Sequence, residues 1–238
     1  MRILAFESSA KAASVALLQD DSLLGEFFTD CGRTHSKTLM KMAQELLACC
    51  ELTAADITAV ACASGPGSFT GVRIGTAAAK GFAWGRELPC CGVSTLYAMA
   101  QQARFFEGVV CCAMDARREE VYNALFLASG GSLSRLTEDR AISLASLREE
   151  LKKIEMPKIV FGDGAQLCYN FMRNDVTACR LAPEHMRMQR ASGVALVARE
   201  MLLSAAQCSA DALVPNYLRL SQAERERAAR MSKECDNG

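Results

Sequence analysis

Gly65-Pro66-Gly67-Ser68-Phe69-Thr70-Gly71-Val72-Arg73 lies between an apolar run, 57–63, and a run of small and apolar residues, 74–84. The first run has strand character and the second helical character, so the stretch reads as a strand–turn–helix corner. Gly65 and Gly67 permit positive φ and close backbone approach, and Pro66 stiffens the turn. Ser68 and Thr70 are both suited to cap the helix. Two readings stand. Free N–H groups at a helix N-terminus can hold an anion, which makes a phosphate site. Alternatively the stretch is a structural turn that packs a helix closely on a sheet. It lacks the Lys-Ser/Thr ending of a P-loop and does not follow Gly-x-Gly-x-x-Gly.

The surrounding 238 residues are enough for one large domain or two small ones. Half are hydrophobic, which predicts a packed core. Basic and acidic residues balance at 27 each, which argues against a stand-alone nucleic-acid binder. The 12 cysteines include the adjacent pairs Cys49-Cys50, Cys90-Cys91 and Cys111-Cys112, with no Cys-x-x-Cys. That spacing does not converge on a zinc ion, and in apolar segments such cysteines act as small hydrophobes. Glu7 interrupts the opening apolar run too early for a signal peptide, and no run has the length of a membrane span. A cytoplasmic, reduced protein is expected, with no membrane contact.

In chain order, 2–6 reads as a strand ending on Glu7-Ser8-Ser9, followed by strands at 13–18 and 23–28. A three-stranded meander with a carboxylate closing its first strand is, by fold-level analogy, the opening of a ribonuclease-H-like or actin-like domain. The pattern returns at 109–117, where an apolar strand ends on Asp115-Ala116-Arg117 and a second strand follows at 121–127. The expected fold is therefore α/β and duplicated, two lobes each with a mixed sheet flanked by helices. Between the halves, helices are expected at 38–50, 74–84 and 95–105 and a strand at 89–93. Later come a helix at 144–154, a strand at 158–161, a turn at Gly162-Asp163-Gly164, and helices at 166–172 and 192–206. The expected divisions are a first lobe 1–106, a smaller lobe 107–190, a returning segment 191–220 and a charged tail 221–238.

The run Gly65 to Gly75 resembles the signature of the TsaB (YeaZ) family. The likeness extends through Ile3-Leu4-Ala5-Phe6-Glu7-Ser8-Ser9, Gly92-Val93-Ser94-Thr95-Leu96, Met114-Asp115-Ala116-Arg117 and Pro215-Asn216-Tyr217-Leu218-Arg219, nearly end to end. The resemblance implies the actin-like ATPase fold. It also implies a non-catalytic subunit that binds the metal-bearing paralogue TsaD in threonylcarbamoyl transfer to the transfer-RNA adenosine 3′ of the anticodon. TsaE would be the third member, TsaC the supplier of the activated intermediate, and a homodimer the state of the chain alone. Transfer RNA would be met only through the complex.

No catalytic or metal residue is expected. TsaD carries a His-x-x-x-His metal pair, whereas the matching stretch here is His35-Ser36-Lys37-Thr38-Leu39, and no Gly-x-Ser-x-Gly elbow occurs. The rival readings are a stand-alone nucleotide- or metal-dependent transferase, a glycoprotease-like peptidase, and a homodimeric binding protein unrelated to RNA. A vestigial nucleotide or phosphate site would use Glu7, Ser8, Ser9, Gly65, Gly67, Ser68, Thr70, Gly71 and Asp115. No cofactor is expected to bind strongly to this chain alone, though ADP or ATP could sit at an interface of the assembled complex. Helix 38–50 shows two apolar stripes, and the helix after the corner is rich in small residues. Taken alone, such helices read as core; the resemblance instead makes them the partner interface. The residues assigned to it are Leu39, Met42, Ala43, Leu46, Cys50, Arg73, Ile74, Ala77, Ala78 and Gly81.

Overall fold

A computed structural model describes residues 1–219; the tail assigned to 221–238 lies outside the described residues. The first sheet is built from β1 (Arg2–Glu7), β2 (Ala13–Gln19), β3 (Ser22–Thr29), β4 (Ala59–Gly65) and β5 (Cys90–Ser94), in the order β3-β2-β1-β4-β5. The second contains β6 (Gly108–Asp115), β7 (Glu120–Ser129), β8 (Ser132–Arg135), β10 (Lys158–Phe161) and β11 (Cys179–Leu181), in the order β11-β10-β6-β7-β8. A further strand, β9 (Arg140–Ser143), also pairs with β7. In each sheet an antiparallel meander adjoins two parallel strands. The duplication expected from the Glu7 and Asp115 strand ends is present in the topology.

Both faces of each sheet are covered, so the central strands are continuously apolar rather than alternating. Leu4 and Phe6 of β1 point to one core, with α1 (His35–Cys49) and α2 (Phe69–Trp84); Ile3 and Ala5 point to another, with α6 (Ala191–Leu203). In β6, Val110, Cys112 and Met114 meet α3 (Thr95–Gln101). Val109, Cys111 and Ala113 meet α4 (Leu144–Lys152) and α5 (Ala165–Met172). The result is five layers, helices–sheet–helices–sheet–helices, with α3 and α6 packed together in the middle one. Strand alternation also splits the adjacent cysteines: Cys90 and Cys91, like Cys111 and Cys112, enter opposite cores.

The β-structure fixes α6 through a cap. Glu26 of β3 accepts hydrogen bonds from the Ser14 hydroxyl (2.8 Å), the Ser192 amide (2.9 Å) and the Ser192 hydroxyl (3.1 Å). Arg190 stands 3.5 Å from the same carboxylate. A carboxylate on the first-turn amides of a helix satisfies orphan donors and opposes the helix dipole.

Several element boundaries differ from expectation. Helix α2 starts at Phe69, so the second half of the glycine stretch is helix, not turn. Helix α3 stops at Gln101. Ser68 is the cap, its hydroxyl accepting from the Gly71 amide at 3.3 Å, while Thr70 stands exposed in the first turn and caps nothing.

Candidate functional site

The carboxyl ends of β1, β4, β6 and β10 point toward one cleft between the lobes, the usual place for a site in open α/β sheets. The cleft holds ≈ 520 Å³. Ser9 and Lys11 line it from the loop after β1, Gly67 to Phe69 from the corner, and Asp115 and Arg117 from the turn after β6. Asp163 and the segment Asn216 to Arg219 complete it.

The expected site residues divide sharply. Glu7 is fully buried and does not line the cleft. Its Oε1 accepts from the Ser9 amide at 2.6 Å, and Oε2 has no partner among the described residues. Burial pushes its pKa up to about 7 against the Ser9 hydrogen bonds, and the nearby Asp163 charge adds to the rise. Asp115 is exposed in the cleft, where its Oδ1 accepts from the Arg117 amide at 2.7 Å. Asp163, which sequence reading treated only as part of a turn, also lines the cleft; burial raises its pKa while Gln189 donates to it at 2.8 Å. The available signal was a carboxylate in the glycine turn that follows β10, Gly162-Asp163-Gly164.

The corner is occupied by the chain itself. Ser68 donates its amide to Ser9 O at 2.6 Å, and the Ser8 hydroxyl donates to Gly71 O at 2.9 Å. A Cβ on Gly71 would collide with Ser8 O, so this glycine serves close packing of α2 on the first-strand loop. Gly65 has φ +126°, and a side chain there would meet Asn216 O. Two N–H groups an anion would use are thus committed, to Ser9 and to Ser68. The geometry matches the structural reading of the stretch better than the phosphate one.

His35 begins α1 and its Nε2 lies 2.7 Å from Ala10 O. Among the described residues no group of three or more His, Cys, Asp or Glu could hold a metal ion. Burial lifts the thiols of Cys62 and Cys91 to about 12, which makes them packing groups rather than nucleophiles. Among the described residues no helix is long and apolar enough to cross a membrane.

Comparison with known proteins agrees with the topology. A family model described as "TsaD: tRNA N6-adenosine threonylcarbamoyltransferase" matches residues 29–227. The tRNA threonylcarbamoyladenosine biosynthesis protein TsaB of Bacillus subtilis (strain 168) is 33% identical over 226 residues, covering 94% of this chain and 96% of that protein. The chain belongs to the TsaB family. The Escherichia coli (strain K12) TsaB is 38% identical over 169 residues, 70% of this chain and 73% of that one. YeaZ from Pseudomonas aeruginosa superposes with a TM-score of 0.75 at 25% identity, covering 91% of this chain and 99% of that chain. The duplicated actin-like ATPase fold is thereby established.

The helices that TsaB resemblance assigns to a partner are only partly available. Leu39 and Leu46 are about 1% exposed and belong to this chain's own core, so their assignment to an interface is corrected; Ala43 is equally buried but borders the groove beside α1. The cause is that the stripe they form faces β2, where the first sheet needs cover. Met42, Cys50, Ile74 and Ala78 are half-buried against the same core. Arg73, Ala77 and Gly81 are exposed along the outer side of α2, ending near Trp84 at 59% exposure, and Met40 is exposed on α1. Between the helices runs a groove lined by Met40, Gln44, Leu47, Ala48, Leu52 and Phe82. The exposed residues of this outer face are thus Met40, Arg73, Ala77, Gly81 and Trp84.

Proposed function

We propose that this TsaB-family chain acts in tRNA threonylcarbamoyladenosine biosynthesis as a non-catalytic subunit, docking on TsaD through the outer face of α1 and α2. One observation carries the reading: α2 turns Ala77, Gly81 and Trp84 to solvent, and among the described residues nothing would touch a Cβ at Gly81. Small residues permit a second helix to approach closely, and exposed Trp and Met supply apolar area at an interface. Under this reading transfer chemistry and metal belong to TsaD, TsaE joins as the third member, and TsaC supplies the activated intermediate. Alone in the cytoplasm, the chain pairs with a second copy through the same face. A net charge of zero fits contact with transfer RNA only through the assembly. Any ADP or ATP lies at a joint interface, since the chain's own cleft has Glu7 sealed away and Ser68 and Gly71 amides already bonded.

Reconstitution with purified TsaC, TsaD and TsaE tests the proposal. Modified adenosine in transfer RNA is expected only when this chain is added, and none from this chain with TsaC alone. Full modification without it, or turnover by it in the absence of TsaD, overturns the reading.

A further inference from the structure

We propose that residues 213–219 form a strap, an intramolecular ligand of the glycine corner that fastens the two lobes across the cleft and ties the cleft to the outer face of α2. The strap is rooted in the first lobe, where Leu213 is buried and Cys208 exchanges two backbone hydrogen bonds of 2.8 Å with Cys90. It then runs over the corner. The Asn216 amide donates to Ser64 O at 2.6 Å, and Gly65 is free of a side chain where Asn216 O lies against it. The Tyr217 ring stacks on Phe69 with centroids 4.8 Å apart. Arg73 lies 3.8 Å over the Phe69 ring, and its Nε donates to the Tyr217 hydroxyl at 2.7 Å. Across the cleft, Arg219 donates to Ala116 O at 3.3 Å and pairs with Glu120 of β7.

Gly65, Phe69 and Arg73 of the sequence signature therefore share one partner, the strap. Beyond Leu213 the hold is aromatic and polar: Val214 is 64% exposed and Tyr217 40%. Contacts of this kind open locally without global unfolding. A strap that opens releases the second lobe at Arg219 and frees the Arg73 side chain. Arg73 also stands on the exposed side of α2 with Ala77 and Gly81, so release alters the proposed docking face; this half of the inference rests on that docking reading.

Hydrogen–deuterium exchange on the full chain tests it, comparing wild type with Tyr217→Ala, Tyr217→Phe and Arg219→Gln. Tyr217→Ala is expected to speed exchange at least tenfold in both 65–73 and 116–122, and Tyr217→Phe, which keeps the ring, to do so less. Arg219→Gln is expected to speed 116–122 alone. Unchanged exchange at 116–122 in Tyr217→Ala and Arg219→Gln overturns the clamp. Affinity for TsaD, measured on the same proteins, is expected to shift at least threefold in Tyr217→Ala; an unchanged value overturns the coupling. Failure of wild type itself to bind TsaD counts against the docking reading, and the exchange result still decides the strap.

Discussion

Glu7 shows how one buried carboxyl can set a pH dependence. In the unfolded chain it releases its proton near 4.5, whereas in the fold it keeps it to about 7. Below pH 4.5 both states are protonated and burial carries no ionic penalty. Between these values the unfolded chain binds fewer protons, so stability falls as pH rises, by about 3 kcal/mol in all, and levels off above 7. Glu7→Gln removes this contribution. Urea unfolding from pH 4.5 to 8 is expected to show the wild type losing stability relative to the variant; parallel profiles would contradict the assignment. The cysteines give a second residue-scale test. Cys31 and Cys49 are exposed, and the Thr29 hydroxyl and the Arg33 amide hold the Cys31 thiol below its usual value. Cys62, Cys90, Cys91, Cys111, Cys112 and Cys168 are buried with raised values. Native labelling with mapping by mass spectrometry is expected to modify Cys31 and Cys49 first and to reach these six only on unfolding. The sequence made Cys90-Cys91 and Cys111-Cys112 legible as packing groups, whereas Cys49 of the third pair is exposed; that neighbours enter different cores needed the strand alternation.

At the scale of elements, α6 depends on a residue far away in sequence. Glu26→Ala strips the cap from the Ser192 amide and leaves the Ser14 hydroxyl without its acceptor, at a cost of about 1–3 kcal/mol by chemical denaturation. Ala77→Glu, on an exposed turn of α2, is expected to leave stability within about 0.5 kcal/mol of wild type. Leu39→Glu, by contrast, places a charge in the core and unfolds the first lobe. These two helices mark what spacing could and could not reveal. Both apolar stripes of α1 are visible at helical periodicity, but tertiary packing buries part of each, Leu39 and Leu46 of one and Ala43 and Leu47 of the other, and leaves Cys49 and Met40 exposed. Strands β1, β4, β6 and β10 were legible because burial on both faces makes them continuous apolar runs. Strands β8, β9 and β11 were not: they are three or four residues long, partly exposed and carry Arg or Ser.

The whole molecule is two copies of one topology sharing a middle layer, α3 and α6, with helices α1 and α2 as the outer layer of the first copy. The duplication was readable from Glu7 and Asp115, each at the end of an apolar strand. Of the cleft, Ser9, Gly67, Ser68 and Asp115 were among the residues singled out in the sequence, whereas Asp163 and Asn216 to Arg219 join it only through contacts between distant parts of the chain. With Glu7 buried and the Ser68 and Gly71 amides already bonded, the proposed working surface is the outer face of α1 and α2. Light scattering after size exclusion measures that directly, with this chain and TsaD from the same source, alone and mixed, for wild type and Ala77→Glu. The account predicts a species at the summed mass with wild type and its loss, with the fold retained, in Ala77→Glu. A mixture that elutes as separate components, or a complex that Ala77→Glu leaves intact, would contradict it.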